Sequence, residues 1–144
     1  MSLDGDYDDG NIFARILRGE IPSAKVYEDD DVLAFMDAFP QARGHTLVVH
    51  KHSRARNLLD IEPEALEALI LGVQKVARGL REAMKPDGVL VTQFNGAPAG
   101  QTIFHLHFHI LPRWAGEPLD AHGRGQAEPG ELVRLAAQIA AAIT

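Results

Sequence analysis

Residues 103–111 read IFHLHFHIL, and from Phe104 to Ile110 apolar and imidazole side chains alternate without a break. In a strand, successive side chains point to opposite faces. Leu106, Phe108 and Ile110 therefore share one face, and His105, His107 and His109 share the other. The apolar face demands a core, so the chain must build a sheet with one side packed. The imidazoles then form a row on the opposite side, about 6.6–6.8 Å apart from one Cα to the next. Such a row is costly to bury unless every ring finds hydrogen-bond partners.

The rest of the pattern supplies elements to pack on that sheet. Asn11 caps a short helix over 12–18, ended by Gly19. Residues 24–28 and 32–38 read as strands around an Asp-rich turn, a hairpin. Residues 45–50 give a third strand. Pro63 sits in the first turn of a long helix over 62–84. Leu66, Leu69, Ile70, Val73, Val76, Ala77, Leu80 and Met84 follow the i, i+3, i+4 spacing of one buried face. Residues 89–94 form a fourth strand and 95–101 a Gly-containing loop. Residues 103–111 are the fifth strand, stopped by Pro112, and a last amphipathic helix covers 130–143. Strands with helices set between and after them predict an α+β class: a five-stranded antiparallel sheet with a short N-terminal, a long central and a C-terminal helix. Residues 11–144 are expected to form one domain. The acidic stretch 1–10 is expected to be a disordered arm.

Composition narrows the function. The 144 residues carry a formal net charge of −6. An acidic surface repels a polyphosphate backbone, so binding of a nucleic-acid polymer is not expected. A single nucleotide remains compatible with a local site. There is no cysteine, which removes thiol nucleophiles, disulfides and Cys-based zinc sites. No apolar run approaches the roughly 20 residues of a membrane span, and no secretory signal is evident. A cytoplasmic location is the default expectation.

Three readings of the histidine row compete. It could be the polar face of an exposed strand. It could ligate a metal, but no carboxylate or cysteine lies close by in sequence to complete a ligand set. It could do nucleophilic catalysis. Imidazole is largely neutral at pH 7 yet nucleophilic, and a phosphoryl-imidazole is a good leaving group. One ring would attack phosphorus while neighbours fix its tautomer and bind phosphate oxygens. The preceding loop suits this. Gly96 and Gly100 would let backbone N–H groups approach an anion, and Asn95, Gln101 and Thr102 add neutral donors. No metal and no cofactor is expected.

The run His105-Leu106-His107-Phe108-His109-Ile110-Leu111 resembles the histidine triad (HIT) family pattern. Residues 12–49 resemble the N-terminal half of the family's Hint-type branch, and Asn95 with Gly100-Gln101-Thr102 also matches. The resemblance covers roughly 11–114. It implies the HIT fold, a homodimer sharing one continuous sheet, and cleavage at a nucleotide α-phosphate through a nucleotidyl-histidine. By position it implies that His107 is the nucleophile, that His109 contacts phosphate, and that His105 and His45 support them. It implies phosphate or leaving-group contacts at Asn95, Gln101 and Thr102. It also implies an apolar cleft for a purine nucleoside at Phe13, Ile16, Phe35 and Met36, with Asp37 at the ribose. Nucleoside 5′-phosphoramidates or related mixed anhydrides are the implied substrates. A dinucleoside polyphosphate hydrolase and a non-catalytic nucleotide-binding protein remain alternatives. His50 departs from the pattern and, together with His52, is expected to form a small exposed cluster. The segment 113–126 also departs, which leaves the leaving-group side open.

Overall fold

The computed structural model describes residues 2–119 and 125–144. The elements are α1 (Ile12–Leu17), β1 (Lys25–Glu28), β2 (Val32–Met36), β3 (Thr46–His50), α2 (Pro63–Met84), β4 (Gly88–Thr92), β5 (His107–Arg113) and α3 (Pro129–Ala141). A single 3₁₀ turn, Ala97–Ala99, lies in the loop before β5. The strands form one antiparallel sheet in the order β1-β2-β3-β5-β4. This is the expected α+β arrangement.

Local chemistry sets the helix ends. The Asn11 side chain accepts the Ala14 N–H at 2.9 Å, satisfying a donor left over in the first turn of α1. Pro63 opens α2, where its missing N–H costs nothing. The Glu128 carboxylate caps α3 by accepting from the N–H groups of Gly130 and Glu131.

The core has two layers. On one face of the sheet, Val48, Leu106, Phe108 and Ile110 pack with Leu69, Val73, Val76 and Leu80 of α2 and with Leu135 and Ile139 of α3. Each fully buried Leu, Ile or Val contributes about 1.5–3 kcal/mol, so this layer carries most of the packing. On the other face, Phe13 of α1 covers Leu33, Phe35, Leu47 and Val49. Every residue of β2 and β3 is buried as a result. Ile70, expected on the buried face of α2, is 43% exposed, because it turns past the sheet edge beside Val91 of β4.

Strand five differs from expectation at both ends. It begins at His107 and not at residue 103. The Leu106 N–H is bonded to the Ala55 carbonyl, and the Ile103 carbonyl accepts from the Gln101 side chain, so this stretch leaves the sheet ladder. It also runs through Pro112, which pairs with Val89. β3 pairs only as far as Ile110, so the strand is bonded on one side there and tolerates the proline. The acidic arm is likewise not free. Arg56 donates to the carbonyls of Ser2 and Asp6, and Asn57 to that of Leu3. Met1 lies outside the described residues.

Candidate active site: imidazoles at the mouth of an apolar cleft

His107 and His109 open β5, on the face covered by α1. Their ring centroids are 4.9 Å apart, and the Phe13 ring meets that of His107 edge-on at 4.8 Å. Both imidazoles line a cleft of about 400 Å³, within the range of small-molecule sites. Phe13, Ile16, Phe35, Met36 and Asp37 line it, as does Thr102, which is exposed to solvent. Met36 belongs chiefly to the α2–α3 layer of the core and reaches the cleft at the end of β2. Leu132 and Val133 of α3 form a further wall. The sequence hinted at this only through Val133, an apolar residue that is 60% exposed on an amphipathic helix. Among the described residues no Lys or Arg lines the cleft, so an anion there would meet imidazoles, Thr102 and backbone dipoles.

Hydrogen bonds fix the proton positions on the rings. The Nδ1 of His107 lies 2.7 Å from the His105 carbonyl. A carbonyl only accepts, so this nitrogen carries the proton, and Nε2 holds the lone pair in the neutral ring. His45, fully buried, accepts the Gln41 N–H at its Nδ1 and so carries its proton on Nε2. That Nε2 lies 2.9 Å from Nδ1 of His109 and 3.5 Å from the Asp37 carboxylate. The His45 N–H thus donates to His109, whose own proton in the neutral ring sits on Nε2. The two cleft imidazoles therefore present opposite chemistry at Nε2, a lone pair on His107 and a donor on His109. Asp37 is 5% exposed and accepts the Phe39 N–H at 2.8 Å.

His105 does not line the cleft. It is 2% exposed and sits behind His107, its Nδ1 2.6 Å from the Tyr7 hydroxyl. Burial, reinforced by the neighbouring His107, lowers its pKa to about 4. His50, expected to be exposed with His52, is instead buried. Its Nδ1 accepts the N–H groups of His52 and Ser53, and burial lowers its pKa. His52 remains exposed.

The loop before β5 is not the open anion cradle that its glycines suggested. Gly96 and Gly100 do adopt φ of +87° and +112°, which only glycine accepts readily. However, the N–H of Gly96 is taken by the Gln101 side chain, and those of Ala99, Gly100 and Gln101 close the turn on carbonyls of the same loop. Gln101 also donates to the carbonyls of Arg56 and Ile103. The Asn95 side chain accepts from the Leu58 N–H and from Gln93. Asn95 and Gln101 thus hold the loop and lie outside the cleft lining.

Asp37, His45 and His109 bring three possible metal-ligating atoms within 4.8 Å of one another. The carboxylate missing from the neighbourhood in sequence is supplied from the end of β2. In this structure Nε2 of His45 and Nδ1 of His109 are hydrogen-bonded to each other. Residues 120–124, part of the divergent segment on the leaving-group side, lie outside the described residues.

The HIT domain profile matches residues 18–116. A Hit-like protein from Bartonella henselae, whose crystal structure is described as containing an unknown ligand, is 50% identical with a TM-score of 0.88 over 95% of this chain and 99% of that one. A hypothetical histidine triad nucleotide-binding protein from Sulfolobus tokodaii is 34% identical, TM-score 0.82, over 90% and 89%. A zinc-bound histidine triad family protein from Mycobacterium smegmatis is 32% identical, TM-score 0.80, over 92% of each chain. A HIT family hydrolase from Clostridium thermocellum is 30% identical, TM-score 0.67, over 77% and 96%. With its alternating histidines on β5 and this match along most of its length, the chain belongs to the HIT domain family.

Proposed function

We infer that the protein hydrolyses nucleoside 5′-phosphoramidates or related nucleotides at the α-phosphorus, releasing the nucleoside monophosphate. The observation that carries this reading is the proton arrangement of the cleft: a lone pair at Nε2 of His107 beside a donor at Nε2 of His109. Nε2 of His107 attacks phosphorus and the P–N bond to the leaving amine breaks, the amine departing with a proton. Water then attacks the nucleotidyl-histidine, the P–Nε2 bond breaks and free His107 returns. The His109 N–H donates to a phosphate oxygen as charge develops there. The apolar cleft takes a purine base, and the Asp37 carboxylate accepts from the ribose hydroxyls. The chemistry needs no metal. A second reading, hydrolysis of dinucleoside polyphosphates, uses the same nucleophile with a larger leaving group; a side-by-side assay of adenosine phosphoramidate and a diadenosine polyphosphate separates the two.

The test is mass spectrometry of enzyme quenched without acid during turnover. A nucleotidyl adduct is expected on the peptide containing His107, absent in His107→Ala, with activity unaffected by EDTA. An adduct and turnover that persist in His107→Ala would overturn the assignment. Activity abolished by EDTA and restored by zinc would overturn the metal-free step.

The protein also acts, on this reading, as a homodimer joined along β4. That strand is bonded on one side only, and Leu90, Val91 and the neighbouring Ile70 of α2 are each more than a third exposed. An apolar edge strand of this kind invites pairing with a second copy.

A further inference from the structure

Every ring in the site owes its orientation to the layer behind it, and one member of that layer comes from the N-terminal arm. The Tyr7 hydroxyl lies 2.6 Å from Nδ1 of His105. The His105 ring also meets the His50 backbone, an interaction that acts to raise its pKa. The ring is thereby held from two sides, by the end of β3 and by the arm. The backbone carbonyl of the same residue is the group that holds the proton on Nδ1 of His107. His105 belongs to no sheet ladder, since β5 starts at His107, so it lacks the restraint that strand pairing gives His107 and His109. The arm itself is anchored around Tyr7. The Arg54 guanidinium stacks over the Tyr7 ring at 4.7 Å and pairs with Asp9. Arg56 grips the carbonyls of Ser2 and Asp6, and Ser2 accepts the Ala97 N–H of the loop before β5.

We propose that the N-terminal arm completes the active site through Tyr7, a positioning residue whose hydroxyl fixes His105 and, through the His105 carbonyl, the tautomer and placement of the His107 ring. The idea rests on the hydrolase reading for its kinetic consequence and on the hydrogen-bond geometry alone for its structural one. Tyr7 touches neither cleft nor cleft-lining imidazole in this scheme. Its effect is on the attack by His107 and not on nucleotide binding, which takes place against Phe13, Phe35 and Asp37.

The experiment compares the full chain with Tyr7→Phe, which keeps the aromatic ring against Arg54 and His105 and removes only the hydroxyl. Steady-state turnover of adenosine phosphoramidate, binding of AMP and ¹⁵N spectra of the imidazole rings at neutral pH are measured on both. The variant is expected to lose roughly 3–10-fold in kcat, the value of one good hydrogen bond, with KM and the AMP dissociation constant within about twofold. The His105 Nδ1 signal should shift, and the His107 Nδ1 proton should exchange faster with water. An unchanged kcat with unchanged His105 and His107 signals overturns the proposal. So does a fall in kcat accompanied by an equal weakening of AMP binding and a lower melting midpoint, with the His107 signals unaltered, since that describes a structural residue only. If the unmodified protein binds AMP but turns nothing over, the hydrolase reading fails by itself. The ring spectra then decide the positioning claim: altered His105 and His107 signals sustain it, and unaltered ones end it.

Discussion

At the scale of the residue, the site works by assigning protons. His107 and His109 are the same side chain two positions apart, yet one is bonded through Nδ1 to an acceptor and the other through Nδ1 to a donor. Asp37 serves a different purpose. Its carboxylate lies at the cleft, and on the proposed reading it accepts from both hydroxyls of a ribose. Asp37→Ala should weaken AMP binding by about 1–3 kcal/mol, the usual loss for hydrogen bonds to a charged group. A ligand lacking both ribose hydroxyls should lose much less. Calorimetry with the two ligands checks this, and equal losses would remove Asp37 from ribose recognition. His105 links the site to stability. Its pKa is about 4 in the fold and about 6.5 in an unfolded chain. Between those values the unfolded state binds the extra proton, so stability declines as pH is lowered from about 6.5 to about 4, by up to roughly 3 kcal/mol. Burial of His50 acts in the same direction. His105→Asn should flatten part of this slope in urea titrations run across that pH range, and an unchanged slope would mean that His105 is already charged in the fold.

At the scale of the element, the loop 95–101 shows how a buried side chain can stand in for sheet bonding. Gln101 is 3% exposed and uses its carbonyl on the Gly96 N–H and its amide on the carbonyls of Arg56 and Ile103. It therefore fastens the start of the turn to the segment leading into β5 and to the loop after β3. Gln101→Glu keeps the size and the acceptor but sets a carboxylate oxygen against two carbonyls. The expected cost is about 1–3 kcal/mol, from two carbonyls left without donors in a buried place. Chemical denaturation measures it; a change under about 0.5 kcal/mol, in the range of ordinary surface substitutions, would show that the loop holds its shape unaided. The α2–α3 layer is joined just as closely. A Cβ on Gly79 would collide with the Ile143 side chain, and one on Gly72 would come within 2.9 Å of Val32. Glycine at these two places lets helix and neighbour approach.

At the scale of the whole molecule, the sheet ends in two edge strands, β1 and β4, and β4 is the one flanked by exposed apolar side chains of its own. The exposed Ile70 and Val91 lie together at the β4 edge, and Leu90 is exposed on the same strand. Sedimentation should report a species of twice the mass of the 15.7 kDa chain. Val91→Lys, which places a charge on the edge strand, should shift it toward the single chain without unfolding it. A single-chain mass for the unaltered protein at micromolar concentration would refute the dimer. No helix among the described residues is long and apolar enough to cross a membrane.

The alternation through residues 107–110 was enough to separate the two faces of β5, because side-chain direction in an extended chain depends on position parity alone. The i, i+3, i+4 spacing likewise placed most of the α2 core, and Asn11 and Pro63 marked two helix starts, since caps are local chemistry. Partner choice is not local. His45 and His109 are 64 residues apart, Tyr7 and His105 are 98 apart, and nothing in the spacing of either pair brings them together. Strand pairing carried His45 to His109 and the turn after β2 brought Asp37 beside them. The fold of the loop turned Gln101, Asn95 and the Gly96 N–H inward, where the sequence had them facing an anion. The order of residues thus determined which side chains could do the chemistry. The tertiary hydrogen bonds determined which nitrogen of each imidazole carries the proton, because a ring's tautomer depends on what faces it across space.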